Sequence, residues 1–111
     1  MRRIAVKTRD RVVILDMEEI DWIEAAGNYV RFHVGEERYQ TRKTLTALTG
    51  QLDPERFLRI HRSIIVNIDR VKQITPWCRG DGAVVLRDGT RLNLSRSYRG
   101  HIDRFLERFS A

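Results

Sequence analysis

The side chains best equipped for chemistry in this sequence are cations and amides set in short polar breaks between apolar runs. His61-Arg62-Ser63 is one such break. Leu58 and Ile60 alternate before it, and Ile64-Ile65-Val66 run together after it, leading into Asn67-Ile68-Asp69. A strand feeding a buried turn reads this way, and it pins a basic, hydrogen-bonding tip to a rigid base. Arg42 and Lys43 stand just ahead of a short helical stretch, placed to meet a phosphate near a helix N-terminus. Arg96 and Arg99 open a second helical stretch, where the positive end of the helix dipole disfavours cations unless an anion lies there. Together these residues point to the recognition of a polyanion. Each also has a plainer reading beside it, as an ordinary edge strand and loop or as solvated surface charge.

Bond-making chemistry needs convergent groups, and the sequence does not assemble them. His33, His61, His101 and the single cysteine, Cys78, lack zinc-ligand spacing; there is no HExxH, and no glycine-rich loop runs from a strand into a helix. Ser63 and Ser95 lie in no nucleophile-elbow pattern. Glu18-Glu19 and Glu36-Glu37 read as solvated turn charges. The expectation is a protein that is not an enzyme and that uses neither cofactor nor metal.

Composition agrees with an anionic partner. Lys and Arg number 21 against 15 Asp and Glu, a formal net charge of +6, and lysine occurs only at positions 7, 43 and 72. Arginine's planar fork suits phosphates and guanine edges, although a GC-rich genome would also raise its usage. One cysteine allows no internal disulfide and fits a reducing cytoplasm. No apolar run approaches a membrane span, and Met1-Arg2-Arg3 is not followed by a signal-peptide core. The 111 residues hold no repeat, low-complexity tract or linker-like stretch, so one domain over residues 1–111 is expected, soluble and cytoplasmic, with no membrane contact.

The elements that must position these residues are mainly strands. Ile4 and Val6 alternate with polar neighbours, and Val12-Val13-Ile14-Leu15 is a β-branched run, so two strands open the chain. Ile20 to Glu24 leads through Ala25-Ala26-Gly27-Asn28, a small-residue bend, into an alternating strand over Tyr29 to Val34. There Val30, Phe32 and Val34 share one face and Tyr29, Arg31 and His33 the other. Gly35-Glu36-Glu37 turns the chain and Arg38 to Lys43 returns. Leu45, Leu48 and Leu52 recur at helical spacing after a capping Thr44, and Asp53-Pro54 stops that helix. Val71 to Ile74 reads as a strand that Pro76 interrupts, with Trp77 and Cys78 covering a core rim. Arg79-Gly80-Asp81-Gly82 is a turn, and Asp88-Gly89 is a two-residue hairpin signal between Ala83–Leu86 and Thr90–Leu94. Ser95 caps a terminal helix whose apolar stripe is Tyr98, Ile102, Phe105, Leu106 and Phe109.

The run FLRIHRSIIVNIDRV resembles the hallmark segment of LytTR-type DNA-binding domains, found in bacterial response regulators and related transcription factors. DWIEAAGNYVRFHV and YQTRKTLTALTGQL upstream, and DGTRLNLSRSYRGHIDRF downstream, extend the resemblance in the family's order over residues 10–108. It implies elongated antiparallel β-sheets with one short inter-strand helix and a C-terminal helix, whose loops enter successive major grooves of double-stranded DNA. By the same resemblance Asn28, Arg62 and Arg96 face bases. Arg42, Lys43, His61, Ser63 and Arg99 then hold phosphates or position the loops. Direct-repeat sites and a homodimer on DNA are implied, with no small-molecule substrate. The family commonly places a receiver domain or a membrane segment ahead of this domain; neither is in this sequence, which then reads as an excised C-terminal domain or a stand-alone regulator.

Two other classes fit the same residues. A protein-interaction or ligand-sensing β module would dock an acidic partner on its basic loops. A binder of single-stranded nucleic acid would line a sheet face with exposed aromatics, for which only Tyr29 and Tyr39 offer themselves.

Overall fold

The computed structural model describes residues 3–75 and 81–111. Pro76, Trp77, Cys78, Arg79 and Gly80, and the roles the sequence suggests for them, lie outside the described residues.

The architecture is mainly antiparallel β. A hairpin of β1 (Arg3–Lys7) and β2 (Val12–Asp16) is followed by a five-stranded sheet of β3 (Trp22–Ala26), β4 (Tyr29–Val34), β5 (Glu37–Arg42), β6 (Phe57–His61) and β7 (Ile64–Asn67), in the order β5-β4-β3-β7-β6. A third sheet takes β8 (Val71–Thr75), β9 (Gly82–Leu86) and β10 (Arg91–Leu94) in the order β10-β9-β8. Two α-helices, α1 (Leu45–Thr49) and α2 (Arg99–Glu107), complete it with 3₁₀ turns at Met17–Glu19, Ile68–Arg70 and Arg96–Tyr98. The extents, 45 × 28 × 26 Å, match the expected elongated shape.

The five-stranded sheet is the wall between two cores, because its strands send alternate side chains to opposite faces. Ile23, Val30, Phe32 and Ile65 project into one core with Val6 and Leu15 of the β1–β2 hairpin and Leu45 and Leu48 of α1. Leu58, Ile60 and Val66 project into the other, with Val84, Leu86, Leu92 and Leu94 of the third sheet and Ile102 and Phe105 of α2. The leucines of the short inter-strand helix therefore do what their spacing predicts. Thr44 caps that helix, its side chain accepting from the Ala47 N–H at 3.1 Å.

Asn67 sits in the wall with no exposed surface. Its Nδ2 donates to the Ile20 carbonyl at 2.8 Å and its Oδ1 accepts from the Asp69 N–H at 3.0 Å, so the buried amide is satisfied at both ends.

Several details differ from the sequence reading. The His61-Arg62-Ser63 turn is a hairpin tip with Arg62 exposed, not a buried turn. The third sheet's hairpin loop has three residues, Arg87 to Gly89, since the Leu86 N–H donates to the Thr90 carbonyl; Gly89, at φ +95°, supplies the left-handed position such a loop needs. Arg96 lies in a 3₁₀ turn before α2, with Ser95 capping that turn through the Ser97 N–H. Phe109 falls beyond the end of α2 and is 57% exposed, meeting Phe105 only edge-on.

His33, on the face of β4 opposite Val30, Phe32 and Val34, is buried. Trp22, its register partner on β3, stacks on the ring at 3.8 Å and buries it, and the Glu24 carboxylate accepts from Nε2 at 2.7 Å. Burial holds the imidazole pKa below its ordinary 6.5, against the opposing pull of the Glu24 hydrogen bond. The neutral ring then carries its proton on Nε2, toward the carboxylate, and leaves the partnerless Nδ1 as a bare lone pair.

Candidate nucleic-acid interface

Sheet topology brings the candidate residues to one end of the five-stranded wall. Antiparallel pairing puts the end of β5, the start of β4, the end of β3, the start of β7 and the end of β6 on the same edge, as the pairs Tyr29↔Arg42, Ala26↔Tyr29 and His61↔Ile64 record. Five strands at about 4.8 Å apart make a row about 19 Å across. Arg42, Asn28, Ser63 and Arg62 occupy that row in order.

The Gly27-Asn28 tip is a two-residue hairpin loop in which Gly27 takes φ +64° and Asn28 does not take a positive φ. That sign pattern belongs to a type II′ turn, whose twist matches the strands it joins. Asn28 is exposed at its outer corner.

The Arg62-Ser63 tip is held more tightly. His61 Nδ1 accepts from the Ser63 N–H at 3.0 Å, and the Ser63 carbonyl accepts from the Ala25 N–H of β3 at 2.9 Å. His61 and Ser63 thus spend these groups on shaping the turn, and the His61 ring keeps only Nε2 for an outside partner.

The third tip is tied to the second by a bulge. Pairing of β6 with β7 shifts between Arg59 and His61, which leaves Ile60 as the extra residue; its side chain is buried, and its carbonyl accepts from the Ser95 N–H at 2.8 Å. The Ser95–Arg96 segment is thereby docked on the strand that ends in Arg62. Asp81 steadies it from the other side, accepting from the Arg96 N–H at 3.3 Å. Arg99, the first residue of α2, is exposed.

Arg59 is the residue the sequence reading missed. Its guanidinium donates to the Arg62 carbonyl at 2.5 Å and to Thr46 Oγ1 of α1 at 3.2 Å, reaches the His61 carbonyl at 3.4 Å, and lies 5.8 Å from the centre of the Tyr98 ring. One side chain therefore fastens the Arg62 tip to α1 and to the 3₁₀ turn of Arg96. Nothing in the sequence sets it apart from the other arginines.

Charge is sorted along the wall. At the far end Arg70 pairs with Asp21 at 3.1 Å, and Arg56 pairs with Asp69 and, at 3.9 Å, with Glu18. At the near end the exposed side chains of Arg42, Arg62 and Arg96 make no ion pair among the described residues. Lys43 is half-buried and donates to Gln51 Oε1 at 2.7 Å, so it braces α1 as well as carrying charge. Among the described residues no group of His, Cys, Asp and Glu could hold a metal ion, and no helix is long and apolar enough to cross a membrane.

The site is thus a mainly β scaffold that presents basic turns along one edge. The family model of the LytTr DNA-binding domain matches residues 10–107, and the chain belongs to that family. The sensory transduction protein LytT of Bacillus anthracis is 27% identical over 106 residues, covering 96% of this chain and 43% of the relative. The transcriptional regulatory protein LytR of Staphylococcus aureus strain N315 is 27% identical over 95 residues, covering 86% of this chain and 39% of the relative. The chain thus spans about two-fifths of the length of these curated relatives. In fold it is similar to the LytTr DNA-binding domain of a protein from Bacillus cereus described as a methyl-accepting/DNA response regulator. The TM-score is 0.85 at 24% identity, over 96% of this chain and 97% of that one.

Proposed function

We propose that this chain binds double-stranded DNA in a sequence-specific way, as the DNA-binding part of a bacterial transcriptional regulator. The observation that carries the reading is the convergence of Arg42, Asn28, Arg62 and Arg96 on one end of a rigid sheet. The row is wider than one major groove, about 12 Å, so bases and flanking phosphates can be engaged together. In this reading Asn28, Arg62 and Arg96 face bases in successive major grooves. Arg42, Lys43 and Arg99 meet phosphates, and His61 and Ser63 hold the Arg62 turn while offering an imidazole N–H and a hydroxyl to the backbone. Sites are direct repeats, read by two copies of the chain on one duplex. A stacking platform for single strands is less favoured, since Tyr29 is the exposed aromatic at this end and Tyr39 is packed against the first core.

The test is selection of duplexes from a randomised pool, followed by affinity measurements across a salt series. Three phosphate contacts give a log–log slope of about −3 or steeper, whereas a flat dependence would favour an acidic protein partner. Arg62→Ala or Arg96→Ala should cost about 1–3 kcal/mol on the selected duplex and relax preference at one or two base pairs, with far less loss on an unrelated duplex. Arg42→Ala should weaken all duplexes alike and lower the salt slope by roughly one. Equal losses on every duplex for the Arg62 and Arg96 variants would refute their assignment as base readers.

A further inference from the structure

A fourth basic loop, between β1 and β2, stands beside the Arg42 end of the row. The turn joining β1 to β2, Thr8 to Arg11, is closed by the Thr8 N–H and hydroxyl donating to the Arg11 carbonyl at 2.8 and 2.9 Å. Thr41 Oγ1 donates to the Lys7 carbonyl at 2.7 Å, which fixes the hairpin against β5 one residue short of Arg42. Between the turn and β5 runs an open groove of about 670 Å³ whose cations are Lys7, Arg9, Arg11, Arg38 and Arg42. Asp10 is the one carboxylate among its lining residues, and Tyr29, next to Asn28, lies in its wall. The side chains of Arg9 and Arg11 are exposed and make no hydrogen bond or ion pair among the described residues. Five cations against one acid, in a trough open to solvent and continuous with the Arg42 end of the row, form a site complementary to a run of phosphodiesters rather than to a compact anion.

We infer that the groove between the β1–β2 turn and β5 takes the DNA backbone that flanks the base-read site on the Asn28 side, with Arg9 and Arg11 on successive phosphates. This rests on the duplex-DNA reading above and adds to it a polarity. Flanking base pairs on the Asn28 side contribute affinity without sequence preference, and those beyond Arg96 do not gain from this groove. The hairpin also sets the reach of the footprint, because it is anchored to the first core through Val6 and Leu15 and cannot swing freely.

The test uses the full chain on the selected site, in three duplexes: one with both flanks, and one with each flank trimmed. Wild type should lose affinity on trimming one flank and much less on trimming the other. Arg9→Ala/Arg11→Ala should match wild type on the duplex that lacks the sensitive flank. On the long duplex wild type should lose about ten-fold more affinity than the double variant between roughly 50 and 200 mM salt, as two phosphate contacts at a slope of about 0.9 each require. Arg9→Lys/Arg11→Lys, which keeps the charge, should retain most of the wild-type salt slope. Both variants should melt like wild type, since neither side chain has an intramolecular bond to lose. If the Ala double variant binds the long duplex as wild type does, with the same slope, the groove is overturned while DNA binding stands. If no protein binds any duplex, the DNA-binding reading itself has failed.

Discussion

Arg59→Ala tests whether the reading tips are pre-set by the protein or only ordered by DNA. The substitution removes two close charge-assisted hydrogen bonds, to the Arg62 carbonyl at 2.5 Å and to Thr46 Oγ1 at 3.2 Å, together with the contact over Tyr98; the 3.4 Å approach to the His61 carbonyl is too long to add much. These bonds are partly solvent-exposed, so each contributes about 0.5–1.5 kcal/mol and the cation–π contact about 0.5. A loss of about 1.5–3.5 kcal/mol in stability follows. The consequence for binding is separate. A freed Arg62 must be ordered on the duplex, at about 1–2 kcal/mol for one residue fixed, since His61 and Ala25 still hold Ser63. Affinity for the selected site should therefore fall roughly five- to thirty-fold at a temperature where the variant is fully folded. Non-specific affinity should fall only by the loss of one positive charge. The assay is a urea melt of the variant, then titration of the folded protein with the selected and an unrelated duplex. Arg59→Lys keeps the charge but not the fork, and should resemble Ala in specificity. If Arg59→Ala is folded and binds the selected duplex as wild type does, the tip is held without Arg59 and the reasoning is wrong.

Two further outcomes follow from the core and from His33. Val66 is 1% exposed, whereas Ile64 and Ile68 are half-buried against the second core, so Val66→Ala should cost about 2 kcal/mol and each isoleucine change less for the size of the group removed. Chemical denaturation checks this, and wild-type stability in all three Ala variants would mean a contact surface had been taken for core. For His33, the folded pKa lies below the unfolded 6.5, so between those values the unfolded chain binds more protons than the folded one. Its contribution to stability is then complete above about pH 6.5 and is lost as pH falls below it. Wild type should lose more stability than His33→Gln between pH 7.5 and pH 5, roughly; parallel pH profiles would contradict a buried neutral ring.

Much of the fold was legible because local chemistry and final structure agree. Gly27-Asn28 and Gly35-Glu36 are hairpin turns in sequence and in space, and the alternation of Val30, Phe32 and Val34 marks the face of β4 that enters the first core. What escaped the sequence depends on non-local pairing. That β7 lies beside β3 places Ser63 against Ala25 and makes one row of distant tips; no periodicity encodes the strand order. His33 follows the alternation and is covered by Trp22 across the ladder, a burial that alternation within one strand does not encode. Leu58 and Ile60 alternate as an unbroken strand would, which hides the bulge at Ile60. Asn28, Arg62 and Arg96 come to notice as base readers through the resemblance to LytTR domains. Arg59 does not come to notice in the sequence, because its contacts come from three neighbours contributed by three different segments.

The backbone of the tips explains why side chains, rather than main chain, would do the reading here. At the central tip the Ser63 N–H and carbonyl and the Arg62 carbonyl are already bonded within the protein, and the Ser95 and Arg96 N–H groups are likewise engaged. A duplex meeting this edge therefore finds guanidinium groups and an amide on a backbone with little hydrogen-bonding capacity to spare. Such tips can change their outward residues without unbuilding the turns, since Arg62 and Arg96 lend no side-chain bond to the scaffold among the described residues. The scaffold's own cations, Arg56 and Arg70, are spent on carboxylates at the far end of the wall. A polyanion approaching this edge would meet Arg42, Arg62 and Arg96 with their side chains in no ion pair among the described residues.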